Sequence, residues 1–141
     1  MRAAVRRAAR RVGRRGAVLL LKGGMALLYG YSQLVAPPAS TASIRLLLLG
    51  MPQHGWAWLW IAAGAIALVC SLAREGRDWL GFAAVYLVAS AWACSALASW
   101  WLYDNPRGWI SALIWAAYGG VAAIVVAWPE PAARESGANE P

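Results

Sequence analysis

The chain has 141 residues, of which 61% are hydrophobic and only 13% carry a charge. A soluble domain is charged at about a quarter of its positions, so this composition excludes an ordinary soluble domain. The net charge of +7 is uneven, because seven of the thirteen basic residues lie in the first fifteen positions and no acidic residue precedes Glu75. Together with the long apolar stretches that follow, these features predict an integral membrane protein with one domain.

Residues 1–16 form a basic arm in which arginine recurs every four positions. The two series are Arg2, Arg6, Arg10 and Arg14, and Arg7, Arg11 and Arg15. In a helix this spacing places the guanidinium groups on one broad side, opposite a narrower apolar stripe. We expect such an arm to lie on an anionic inner leaflet, where each arginine contributes about 1 kcal/mol. Two alternatives stay open: a disordered arm that only fixes topology, and an arm that binds an acidic protein or, less favoured, nucleic acid.

Four apolar segments have the length of about 20 residues that a helix needs to cross a bilayer. They are residues 17–36, 55–73, 79–103 and 109–128. Pro37 and Pro38 end the first segment and Pro129 ends the fourth, because proline cannot continue a helix. The basic start and the first apolar run are also typical of a secretory signal. An uncleaved first helix is favoured, since that run is long enough to span and three more follow.

Short polar links join the last three spans. In REGRD (74–78), Gly76 is suited to ending a helix and Asp78 to capping the next one, and DNPRG (104–108) is typical of a tight turn. Links this short require neighbouring helices to be antiparallel. The sequence therefore predicts an all-α, up-down-up-down four-helix bundle within residues 17–129. The tail, 130–141, is polar and rich in proline and glycine, so it is predicted to be disordered.

The connection between the first two spans contains Ile44–Met51, which is apolar but too short to cross a bilayer. A short helix lying at the interface is the favoured interpretation, and a re-entrant dip that lines a cavity is the alternative. Lysine and arginine in the short loops predict the orientation. The basic arm and three further arginines lie on one side, against only Arg45 and Arg107 on the other. Both termini are therefore predicted to be cytoplasmic.

The motif WAWLW (56–60) places three tryptophans in five positions. In a helix Trp56 and Trp60 share a face and Trp58 does not, so the three cannot form one stacking platform. They lie at the predicted outer end of the second span, and more aromatic residues lie at the same end of the third and fourth spans. An outer aromatic belt at headgroup level is therefore predicted, comprising Trp56, Trp58, Trp60, Trp100, Trp101, Tyr103 and Trp109.

Small residues recur at four-residue spacing in the last three spans. The rows are Ala63 and Ala67; Ser90, Cys94 and Ala98; and Ala112, Ala116 and Gly120. Rows of this kind let helix backbones approach closely in lipid. They predict packing within the bundle or, between chains, a homo-oligomer.

Lys22 is the only formally charged residue within a predicted span. It lies near the cytoplasmic end of the first span, so we expect its amine to extend to the interface, with a pore or ligand site as the alternative. The other three spans contain no Asp, Glu, His, Lys or Arg. With no nucleophile–base–acid set, paired carboxylates, metal signature or phosphate-binding glycine loop, the sequence predicts neither an enzyme nor a cofactor.

Two motifs, RDWLGF (77–82) and RGWISALIWA (107–116), lie in a chain rich in alanine, arginine and tryptophan. Over roughly residues 55–130 the chain resembles the small four-span membrane proteins of actinobacteria and their phages. The first span, LLLKGGMALLYGYSQLVAP (19–37), also resembles small four-helix proteins of the DoxX type. These resemblances imply a four-helix membrane fold in a bacterial cytoplasmic membrane, and no activity.

Two functions remain as expectations. The first is a non-catalytic accessory or scaffold protein whose partners are the anionic leaflet, copies of itself, or an unidentified membrane or cytoplasmic protein. The second is a phage holin-like protein that oligomerises through small-residue faces and permeabilises the membrane.

Overall fold

Five α-helices make up the part of the chain that the computed structural model describes, residues 2–38, 40–72 and 78–127, with side chains in the first helix from residue 14 onward. The helices are α1 (Arg2–Val35), α2 (Arg45–Gly50), α3 (Gln53–Ser71), α4 (Trp79–Leu102) and α5 (Gly108–Ala127). A 3-10 turn, Ala42–Ile44, precedes α2, and no strand occurs among these residues. Gly76 and the tail, 130–141, lie outside the described residues, so their expected roles stay predictions.

Four of the helices are long and apolar enough to cross a membrane. The spans are Arg14–Val35, Gln53–Ser71, Trp79–Leu102 and Gly108–Ala127. Each begins and ends within three residues of the predicted segment, so the prediction of an all-helical chain with four candidate spans is confirmed. The chain is compatible with a multi-pass membrane protein. One difference concerns the arm: α1 runs without a break from Arg2 to Val35, and no helix end separates residues 1–16 from the span.

Glycines allow α1 and α3 to approach closely. A Cβ on Gly64 would lie 2.7 Å from the carbonyl oxygen of Gly23, and a Cβ on Gly30 would lie 2.7 Å from that of Ala57. Helices α1 and α3 are therefore antiparallel along this contact. Because lipid is as apolar as the side chains, close backbone packing of this kind is what holds membrane helices together.

Helix α4 packs against α1, α3 and α5, and so lies at the centre of the bundle. Gly108 at the start of α5 lies against Ala96, and Gly119 lies against Ala89. At the other side, a Cβ on Gly81 would lie 2.8 Å from the Cβ of Cys70 in α3. Small residues thus mark the close contacts on both sides of α4.

The core has two parts along the length of the bundle. The first is built around Leu19, Ala67, Phe82, Val85 and Ala122. The second is built around Ala26, Ile44, Trp60, Ala89 and Trp92. Helix α5 is the least buried of the four spans, with 11% of its span buried against 33–39% for the other three. Most of α5 therefore presents an apolar surface to the outside of the bundle.

The connection between α1 and α3 is folded onto one end of the bundle, which we call the α2 end. Here Ser99 Oγ donates to the carbonyl of Ala42 at 2.7 Å, and Trp56 Nε1 donates to the carbonyl of Leu47 at 3.0 Å. Ile44 is buried in the core. The short helix expected within Ile44–Met51 is present as α2, and side-chain hydrogen bonds hold the connection against α3 and α4.

The DNPRG motif forms the predicted tight turn, since Gly108 N donates to the carbonyl of Asn105 at 3.0 Å. At the opposite end of the bundle, Arg15 Nε lies 2.9 Å from Asp78 Oδ2. Asp78 precedes α4 as expected, but its side chain makes no capping hydrogen bond. Its carboxylate is held by the arginine instead, and this ion pair ties α1 to the start of α4.

Candidate functional site

Six aromatic rings meet inside the half of the bundle nearer the α2 end. The cluster consists of Tyr29, Trp56, Trp60, Trp92, Trp115 and Tyr118. The contacting rings have centroids 4.8 to 6.5 Å apart, and most of the pairs meet edge to face. This geometry is the one that aromatic side chains prefer. The cluster joins α1, α3, α4 and α5 through one set of contacts.

Trp60 is the centre of this cluster and not a member of an interfacial belt. It is 0% exposed and contacts the rings of Tyr29, Trp92 and Trp115 at centroid distances of 5.0, 5.6 and 5.1 Å. Its assignment to the belt was wrong, because α3 already begins at Gln53 and Trp60 lies two turns further in, on the buried face. Trp58, on the other face, is 60% exposed.

The other aromatic residues predicted for the belt lie at the surface, with one exception. Trp100, Trp101, Tyr103 and Trp109 are 43, 76, 37 and 45% exposed. The guanidinium carbon of Arg45 lies 4.8 Å from the centre of the Tyr103 ring. Trp56 is the exception, being half-buried with its indole N–H bonded to the α2 backbone. Their depth relative to a bilayer stays a prediction.

A cavity of about 330 Å³ opens beside the aromatic cluster, between α1, the 36–44 connection, α4 and α5. Its lining is Tyr29, Ser32, Gln33, Ala36, Pro38, Ser40, Ser43, Ile44, Trp92, Ser111 and Trp115. Hydroxyl and amide groups face aromatic rings across this space. We call it the polar cavity, and it is the most distinctive candidate site in the described residues. A second hollow, of about 290 Å³, lies on the surface between α4 and α5 and has a mostly apolar lining that includes Phe82, Tyr86 and Ala122.

Hydrogen bonds hold the walls of the polar cavity in place. Trp92 Nε1 donates to the Tyr29 hydroxyl at 3.1 Å, and Gln53 Nε2 donates to Gln33 Oε1 at 2.8 Å. Asn105 Nδ2 donates to the hydroxyl of Ser43 at 3.3 Å. Lining groups from three segments, α1, α4 and the connection that precedes α2, are thus held in place by hydrogen bonds.

Most residues of this cavity were not predicted from the sequence. A signal was present in Trp92 and Trp115, because tryptophan in the middle of a span is unusual where interfacial positions are preferred. The polar residues gave no signal, since Gln33, Ser43 and Ser111 lie far apart in the sequence and only the fold brings them together.

Lys22 is buried between α1 and α5 and does not reach the interface. It is 6% exposed, its Nζ lies 4.0 Å from the centre of the Tyr118 ring, and it donates to the Tyr118 carbonyl. In return, the Tyr118 hydroxyl donates to the Lys22 carbonyl at 2.7 Å. The expectation that the amine extends outward was wrong, because the ring and carbonyl of α5 solvate it inside the bundle.

Replacement of Tyr118 by leucine is expected to destabilise the bundle by about 2 kcal/mol, because it leaves a buried ammonium without its aromatic partner. Lys22→Met should lower the free energy of unfolding by less, since it removes the buried charge along with its contacts. The double variant should therefore be more stable than Tyr118→Leu alone. Chemical unfolding of the purified protein in lipid nanodiscs measures the stability of all three variants. Additive losses, with Lys22→Met as costly as Tyr118→Leu, would contradict this account.

The small-residue rows differ in where the structure places them. Ala63 and Ala67 are buried, and Ala67 lies against Gly23. In α4, Cys94 is exposed, with Ser90 and Ala98 half-buried, so this row runs along the edge of the helix. The core face of α4 combines other small residues, such as Ala89 and Ala96, with the large side chains of Phe82 and Trp92.

The α5 row changes character along its length. Ala112 is buried and Ala116 is exposed. Gly120 is half-buried, and a Cβ on it would meet nothing within 4 Å. Part of this row therefore packs inside the chain and part is open to the outside.

Of the seven arginines of the basic arm, the structure describes the side chains of Arg14 and Arg15. Arg14 is exposed, whereas Arg15 forms the ion pair with Asp78 and lies 5.9 Å from the centre of the Phe82 ring. Arg15 was expected on the lipid surface, and it is instead engaged within the protein. The side chains of Arg2, Arg6, Arg7, Arg10 and Arg11 lie outside the described residues.

Within the described ranges, no group of three or more His, Cys, Asp or Glu side chains is arranged to hold a metal ion. The helices and their apolar exterior define the class: a helical protein with four candidate membrane spans. Compared with models of protein families, with curated proteins and with solved structures, the chain matches none.

Proposed function

We propose that the chain is a non-catalytic multi-pass protein of a bacterial cytoplasmic membrane, which acts as an accessory or scaffold protein. Its four spans cross in up-down-up-down order with both termini in the cytoplasm. The basic arm contacts the anionic inner leaflet or a cytoplasmic partner. The exposed tryptophans, Trp58, Trp100, Trp101 and Trp109, anchor the outer end at headgroup level.

The observation that carries this proposal is the surface of α5. Only 11% of its span is buried, and the exposed side carries large apolar residues such as Leu113, Ile114 and Ile124. At Gly120 the backbone is open, with nothing within 4 Å of a Cβ position. A second helix can approach such a backbone closely, which is the principal way that helices associate in lipid. The face supports assembly, and copies of the same chain are the simplest partner.

Replacement of Gly120 by leucine is expected to weaken self-association about tenfold, because the side chain fills the space that a second helix would enter. Gly24→Leu is the matched control, since Gly24 also lies in a span with nothing within 4 Å of its Cβ position. Single-molecule photobleaching in lipid vesicles gives the oligomer fraction at each protein density. Equal association in both variants, or a wild-type protein that is monomeric at every density, would contradict assembly through α5.

The same exposed face also suits the alternative, a holin-like protein that oligomerises and permeabilises the membrane. Controlled expression separates the two functions. An accessory protein leaves the membrane potential intact at high expression, whereas a holin collapses it. If the wild type collapses the potential and Gly120→Leu does not, the holin-like function replaces the accessory one.

A further inference from the structure

The polar cavity opens at the surface of the bundle near the α2 end, and its lining combines neutral polar groups with aromatic rings. None of its eleven lining residues is charged, yet six are polar: Tyr29, Ser32, Gln33, Ser40, Ser43 and Ser111. Gln33 is buried, whereas Ser32 and Ser40 are exposed at the rim. The other five are the tryptophans Trp92 of α4 and Trp115 of α5 and the apolar residues Ala36, Pro38 and Ile44. The cavity therefore offers both neutral hydrogen-bonding groups and ring surfaces.

Internal hydrogen bonds leave particular donors for a ligand. Gln33 Oε1 accepts one hydrogen bond from Gln53, which leaves its second lone pair and the Gln33 amide N–H groups for other partners. The Tyr29 oxygen already accepts from Trp92, so the hydroxyl hydrogen can be donated elsewhere. Serine hydroxyls both donate and accept. The lining thus suits a ligand that also both donates and accepts hydrogen bonds at several neighbouring atoms.

Charge and size narrow the ligand class. A charged ligand would have no counter-charge in the lining, and its desolvation would be uncompensated. A wholly apolar ligand would leave the hydroxyls and the amide unpaired. The volume of about 330 Å³ is at the low end of the roughly 300–1,000 Å³ typical of small-molecule sites, which fits one ring.

From this lining, we propose that the polar cavity binds a single neutral sugar ring, whose hydroxyls bond to the serine, glutamine and tyrosine side chains while its C–H face packs on the aromatic rings. The same chemistry has two sources, a free monosaccharide or the headgroup of a glycolipid in the surrounding leaflet. Because this binding involves α1, α4, α5 and the 36–44 connection of one chain, it does not depend on assembly through α5.

Saturation-transfer NMR on the full-length protein tests the proposal. The protein is placed in nanodiscs of phosphatidylcholine alone, since detergents with sugar headgroups would themselves occupy the cavity. The probes are the methyl glycosides of glucose, galactose, mannose and N-acetylglucosamine, with glucuronate as the charged comparison. A second arm uses nanodiscs that also contain monoglucosyl diacylglycerol. Transfer to a free glycoside that the glycolipid suppresses identifies a shared site, and transfer to the glycolipid headgroup alone identifies the lipid as the source.

Two variants on α5 assign the signal to the cavity. Ser111→Leu places a bulky apolar side chain in the lining and should abolish transfer, and Ser111→Ala, which removes one hydroxyl, should weaken binding about two- to tenfold. Ala116→Leu is the matched control, because Ala116 is exposed on the same helix and does not line the cavity. Unfolding midpoints confirm that each variant is folded. The proposal is overturned if no neutral sugar gives transfer in either arm, if glucuronate binds equally well, or if Ser111→Leu retains the signal.

Discussion

Trp60→Ala is expected to lower the free energy of unfolding by about 3 kcal/mol or more, at the upper end of what single substitutions do. The indole is 0% exposed and touches rings from α1, α4 and α5, so its removal leaves a cavity that four helices line. Packing contacts, and not transfer from water, supply most of this loss, because the surroundings of the bundle are already apolar.

Trp58→Ala is the matched control for Trp60, since it removes the same side chain two positions away. Trp58 is 60% exposed, and its replacement should change stability by no more than about 0.5 kcal/mol. Thermal unfolding followed by near-ultraviolet circular dichroism compares the two variants directly. Similar losses for both would show that Trp60 is not the centre of the core.

Gly64→Ala is the second substitution with a large expected effect, a loss of about 2–3 kcal/mol. A Cβ there would lie 2.7 Å from the Gly23 carbonyl oxygen and 2.8 Å from the backbone nitrogen of Leu27. Both are backbone atoms, so neither can rotate away, and α1 and α3 must separate. Loss of their close contact weakens the packing along both helices.

Gly24→Ala is a control that is expected to raise the free energy of unfolding, whereas Gly64→Ala lowers it. Gly24 is on α1 next to Gly23, but nothing lies within 4 Å of its Cβ position. Alanine in a helix interior is about 0.5–1 kcal/mol more favourable than glycine where space allows. The midpoint of unfolding in denaturant should therefore be higher than that of the wild type for Gly24→Ala and lower for Gly64→Ala. A stabilised Gly64→Ala would show that α1 and α3 are not in close contact.

The spans could be predicted from sequence because hydropathy and proline positions act locally. α1 ends at Val35, just before Pro37 and Pro38, as expected for residues that precede proline. Which face of each helix is buried could not be predicted in the same way. Spans that are apolar all round have almost no amphipathic signal, since lipid-facing and core-facing positions favour similar residues.

The contrast between Trp58 and Trp60 shows where sequence reasoning succeeded and where it failed. Helical geometry correctly placed them on different faces. Nothing in WAWLW indicates which face points inward, because the partners of Trp60 are Tyr29, Trp92 and Trp115, each from another helix. The same limit applies to the helix contacts: glycines of α1 that were not predicted lie in close contact with α3, whereas the expected row through Cys94 lies at the edge of α4.

Lys22 and Tyr118 are separated by 96 positions in the chain, which has a consequence for biosynthesis. At about 5–20 residues per second, translation reaches Tyr118 roughly 5–20 s after Lys22. During that interval the first helix is already made, and its ammonium has neither the tyrosine ring nor the tyrosine carbonyl. In the proposed membrane setting, the nearest solvation available is water at the interface, which a long flexible side chain can reach. When α5 packs into the bundle, the Tyr118 ring and carbonyl replace water around the Lys22 ammonium.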